Sequence, residues 1–139
     1  MTEEGRRESS REELALADEE LAAADALLRA GFARVSLART YFAVFHAARA
    51  CLYAHGLEPR THAGVHHLFN LHFVKSARFE PMTSRLMARL QKYREEADYS
   101  RAFIVDADGA REELEAARSF VESVRARIAT ARGGEPGRS

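Results

Sequence analysis

Six histidines and 19 arginines are the residues of this 139-residue chain best suited to chemistry. His62 and His66 stand four apart, the spacing that puts two metal ligands on one helical face. A zincin-type pair would need a glutamate at position 63, where the chain has Ala63. No second cysteine or nearby carboxylate completes a ligand set, so no metal and no other cofactor is expected. Neither common glycine-rich phosphate loop occurs, which excludes nucleotide sites of those types. Cys51, the single cysteine, lies inside the helical pattern ARACLY, where a buried thiol is expected rather than a nucleophile.

Arginine and histidine together can cleave RNA without a metal. The guanidinium stabilises the phosphorane, and the imidazole moves protons between the 2′-hydroxyl and the leaving oxygen. Arg39/His46, Arg49/His55, Arg60/His66 and Arg60/His67 are each separated by four to six residues. A random arrangement of the same composition gives more than half as many such pairs, so spacing alone selects none. Arg39 and His46 have one further property: they share a face with Phe42, and Arg49 and Tyr53 continue the stripe. Such a stripe suits base stacking and phosphate contact, and it equally suits a packed interface.

The elements that must carry these residues read as helices. Leu14, Ala17, Leu21, Ala24 and Leu28 form a narrow seam on a first helix over residues 10–30, with Ser10 and Glu13 as a capping box and Gly31 as its stop. A second helix runs from Ala33 to His55 and ends at Gly56; Leu37, Tyr41, Val44, Phe45, Ala48 and Leu52 form an apolar face opposite the Arg–His stripe. Thr61 caps a third helix over 62–76, with Val65, Leu68, Phe69, His72 and Phe73 facing inward. Pro81 opens a fourth helix over 81–99, with Leu86, Leu90, Tyr93 and Ala97 as its stripe. After a break at 100–108, a fifth helix over 109–131 keeps Ala110, Leu114, Ala117, Val121, Val124 and Ile128 in register. With 26 alanines and no β pattern, the expectation is an all-α antiparallel up-and-down bundle of four to five helices. One domain over 10–131 is expected, with flexible termini at 1–9 and 132–139.

The net charge of zero is unevenly distributed. Residues 1–31 carry 9 acids and 4 bases, 32–94 carry 2 and 10, 95–122 carry 9 and 3, and 123–139 carry 1 and 4. The basic centre either attracts an anion such as RNA or pairs with the acidic helices inside the bundle. No apolar run approaches the length of a membrane span, and the polar, acidic N-terminal stretch is unlike a secretory signal, so a cytoplasmic location is expected.

Three ordered stretches carry a resemblance. RTYFAVFHAARACLYAHGLEP (39–59), THAGVHHLFNLHFVK (61–75) and REEADY (94–99) resemble successive motifs of small prokaryotic HEPN-domain proteins, and the likeness extends over about residues 10–130. It implies a helical bundle that dimerises and pairs with a nucleotidyltransferase encoded nearby, as in toxin–antitoxin couples. It also implies an RNA or nucleotide ligand. Active members are metal-independent ribonucleases whose arginine–histidine motif falls where this chain has Arg94 to Tyr99. Here no histidine follows Arg94; the last in the chain is His72, and Asp98 takes the approximate place of the family histidine. A carboxylate is a poor general acid near neutral pH, and Asp98 is placed to pair with Arg94 four residues back. Catalytic candidates are therefore Arg94, Asp98, His46 and His62. Candidates for holding RNA or a nucleotide are Arg39, His46, Arg49, His62, Arg94, Asp98 and Tyr99. An RNA- or nucleotide-binding homodimer with a degenerate motif, an active ribonuclease and a purely structural bundle all remain open.

Overall fold

The computed structural model describes residues 1–75, 86–93, 95 and 105–134. Helix α1 spans Glu3–Arg29. Its start lies seven residues before the expected one: Thr2 is the cap, its Oγ1 accepting the Gly5 N–H at 3.0 Å, with Glu3 and Glu4 in the first turn. Residues 3–9, expected within a flexible terminus, are helical. Ser10 is not a cap; it is buried within the helix, and its hydroxyl donates to the Ala50 carbonyl at 2.8 Å.

Helix α2 spans Ala33–Ala54. α1 and α2 both end in the glycine stop read from the sequence. At Gly31 (φ +92°) and Gly56 (φ +82°) the backbone is left-handed. In each case the next amide reaches back to close the turn, Phe32 N to Leu27 O at 2.8 Å and Leu57 N to Leu52 O at 2.9 Å. α1 and α2 lie antiparallel with small residues between them. Ser10 bonds across to Ala50 at one end, and Ser36 donates to the Ala24 carbonyl at 2.7 Å at the other. Ala17, Ala24, Ala43 and Ala47 are fully buried, as this close backbone approach requires.

Helix α3 spans His62–Phe69, capped as expected by Thr61, whose Oγ1 accepts the Gly64 N–H at 2.8 Å. It does not continue as an α-helix to residue 76. Asn70–Val74 form a π-turn, and the Lys75 N–H donates to the Asn70 carbonyl five residues back. So short an apolar run does not distinguish a wider turn from a normal one. The wider turn keeps Phe69 and Phe73 in the core but shifts His72 out of helical register, so His72 is exposed rather than inward-facing.

Residues 86–93 are helical and form α4, with Leu86, Met87 and Leu90 buried and Tyr93 packed against the same core. Pro81 and Ala97 lie outside the described residues. Helix α5 spans Ala107–Gly134, two residues earlier and three later than the sequence suggests. Asp106 accepts the Gly109 N–H at 2.6 Å, which fixes its start. All six residues of its expected seam are buried. Arg118 reaches Asp25 at 3.1 Å and Arg125 reaches Asp18 at 2.6 Å, so α5 runs antiparallel to α1. Arg89 grips Glu113 with two hydrogen bonds of 2.6 and 2.8 Å, tying α4 to α5. The main core therefore forms around α2, whose flanks are covered by α1, α3 and α5. The described residues contain no strand.

Candidate functional site

The Arg–His stripe of α2 faces the acids of α1. Arg39 Nη1 lies 3.1 and 3.2 Å from the two carboxylate oxygens of Glu20, with its guanidinium 4.9 Å from the Phe42 ring centre. His46 Nδ1 lies 2.6 Å from Glu13 Oε2, and Arg49 Nη1 lies 3.3 Å from Glu13 Oε1. Arg49 also donates to the Tyr53 hydroxyl at 3.1 Å and covers that ring. Glu13 and Glu20 are largely buried, so these are partly desolvated pairs inside a helix–helix seam. A phosphate binding here would have to displace carboxylates. Of the two uses the stripe allowed, the geometry is that of a packed interface.

On the other side of α2, a run of rings leads from the stripe to α3. His46 meets Phe45 edge-on at 5.4 Å, and Phe45 stacks on the exposed His62 at 4.2 Å. Tyr41 stacks on His66 at 6.2 Å, its hydroxyl 3.4 Å from His66 Nε2. Thus His46 and His62, both candidates, pack against one phenylalanine, His46 edge-on and His62 stacked. His55 is occupied differently: its Nδ1 lies 2.8 Å from the Cys51 carbonyl at the end of α2, and Cys51 is buried. Arg94, Asp98 and Tyr99 lie outside the described residues, although Tyr93, the residue before Arg94, ends the described stretch of α4.

A cleft of about 260 Å³ opens between α3 and α4, lined by His66, His67, Phe69, Asn70, Met87 and Ala88. Asn70 gave no signal in the sequence, because its place beside the cleft depends on the π-turn and on the docking of α4. No group of three or more His, Cys, Asp or Glu residues able to hold a metal occurs among the described residues. No helix among them is long and apolar enough to cross a membrane.

Burial, and after it the neighbouring charge of His62, holds the His66 imidazole below its ordinary pKa. The unfolded chain then takes up this proton at a higher pH than the folded one. Stability from His66 is present above about pH 6.5 and is lost as pH falls from there toward the folded pKa. Thermal unfolding followed from about pH 7.5 to 5.5 should show a falling midpoint, and His66→Asn should flatten that slope. An equal slope in the variant would contradict the burial of this ring.

The sequence model of the HEPN domain family matches residues 11–128. A candidate toxin of Methanocaldococcus jannaschii is 38% identical over 85 residues, covering 61% of this chain and 63% of that protein. A UPF0332 protein of Pyrococcus horikoshii is 42% identical over 72 residues, 52% of this chain and 51% of its own length. A UPF0332 protein of Thermotoga maritima is 27% identical over 86 residues, 62% and 65% respectively. The chain thus spans from about half to just under two thirds of the length of these relatives.

Proposed function

The chain belongs to the HEPN domain family, and from that premise we propose that it is an RNA- or nucleotide-binding component of a toxin–antitoxin-like pair. In this reading it acts as a homodimer, its partner is a nucleotidyltransferase, and its ribonuclease motif is degenerate. The observation that carries the reading is the cleft beside α3. It combines imidazoles, a carboxamide and an apolar floor, and its α4 wall leads directly in sequence to Arg94. Those groups suit single-stranded RNA, which is recognised through exposed bases and a cation on the phosphate. The candidate-toxin relative agrees with the class. The absence of any histidine after Arg94 argues for binding rather than cleavage.

The test is binding and cleavage of a mixed RNA pool by wild type and Arg94→Ala, with chelator present. Wild type should bind, the variant should bind about tenfold more weakly (~1.4 kcal/mol), and neither should cut. Metal-independent cutting to 2′,3′-cyclic ends that vanishes in Arg94→Ala would make the protein a ribonuclease instead. Failure to bind RNA, nucleotides or a co-expressed nucleotidyltransferase would overturn the proposal.

A further inference from the structure

We propose that the α3–α4 cleft receives one unstacked nucleobase, with the Asn70 carboxamide reading its hydrogen-bonding edge. The inference rests on the RNA-or-nucleotide reading above and assigns the base, rather than the phosphate, to this place.

Four observations support it. First, the size is right for one planar ring system: about 260 Å³ falls just below the range of about 300–1,000 Å³ typical of pockets for larger organic ligands. Second, the floor is apolar. Phe69 and Met87 back the cleft and are almost wholly buried, so no polar group beneath a bound ring loses its water there. Third, the polar groups suit a base edge and not a phosphate. No arginine or lysine is among the described lining residues. Asn70 is half-buried, and its carboxamide makes no hydrogen bond to any described residue. A carboxamide offers a donor and an acceptor side by side, which is the pattern of a base edge. His66, kept neutral by burial, can add either one donor or one acceptor, depending on its tautomer. Fourth, Asn70 opens the π-turn. Such turns appear mostly as single interruptions of α-helices and frequently at functional sites.

The remaining polar clusters of the described surface are less suited. The cations Arg39, Arg49, Arg89, Arg118 and Arg125 already face carboxylates within the bundle. The α3–α4 cleft differs in offering polar groups with no carboxylate among its described lining residues.

The experiment compares adenosine 5′-monophosphate, uridine 5′-monophosphate and ribose 5-phosphate as competitors of a fluorescein-labelled single-stranded RNA bound to the full chain. The nucleotides should compete at least about tenfold better than ribose 5-phosphate. Asn70→Ala removes the reading group, and Ala88→Phe fills the cleft from its exposed wall without touching a polar group. Both should erase that margin while ribose 5-phosphate competes as before, and circular dichroism should confirm that both are folded. If labelled RNA binds but the margin is missing, or survives in both folded variants, the base site is wrong and the broader function stands. If labelled RNA does not bind at all, both readings fall.

Discussion

Replacing Phe69 with alanine is expected to cost about 3–5 kcal/mol of unfolding free energy, enough to leave a domain of ordinary stability (~5–15 kcal/mol) marginal. The ring is 0% exposed. It stacks on Phe73 at 5.2 Å and meets Phe120 of α5 edge-on at 5.5 Å, while His55 closes over Phe73 at 4.9 Å. Alanine removes the transfer energy of the ring and leaves a void under the π-turn that surrounding backbone cannot easily fill. Urea unfolding should show a large fall in midpoint with little change in slope. Leu71→Ala, only two residues away but 44% exposed, should stay within about 0.5 kcal/mol of wild type. Equal shifts for the two variants would mean that the π-turn is out of register.

Removing Glu13 should have the next largest effect. Its carboxylate, 12% exposed, serves His46 on one oxygen and Arg49 on the other. Arg49 is already short of one partner, since its buried Nε has none among the described residues. Glu13→Ala would leave two desolvated donors facing a gap, at a cost of about 1–3 kcal/mol. The effect should depend weakly on salt, because the pair is shielded from solvent ions. In a double-mutant cycle, Glu13→Ala and His46→Ala should be non-additive by about 0.5–3 kcal/mol. Strict additivity would show that the two side chains do not interact in solution.

Helices α1, α2 and α5 were legible because the seam of each repeats along its own sequence. The spacing of Ala110, Leu114, Ala117, Val121, Val124 and Ile128 records which face of α5 is buried, and the two glycines record where α1 and α2 stop. What docks on what was not legible. The stripe Arg39–Phe42–His46–Arg49 reads the same whether it meets phosphates or carboxylates. Its partners Glu13 and Glu20 are 19 to 36 residues away, and only the antiparallel packing of α1 on α2 selects them. Ser10 failed for a related reason. A serine followed three residues later by glutamate marks a helix start only if the chain before it is not already helical, and Thr2 had begun the helix upstream. The π-turn escaped because Phe69 and Phe73 also satisfy ordinary helical spacing. Of the three stretches that carried the resemblance, Arg94 to Tyr99 lies mostly outside the described residues, so its chemistry rests on the sequence.

The central position of α2 has a consequence for how the protein is made. A ribosome delivers α1 and α2 before the helices that pack on them, and that hairpin can close at once because its contacts are local. The helix that covers another flank of α2 starts about fifty residues later, some 3–10 s of synthesis. During that interval a nascent chain exposes apolar surface that Ala117, Phe120, Val121, Val124 and Ile128 of α5 go on to cover. The floor of the cleft is likewise incomplete until Phe120 arrives against Phe69. The packing beneath the cleft is therefore completed only when α5 docks, well after α3 has been made.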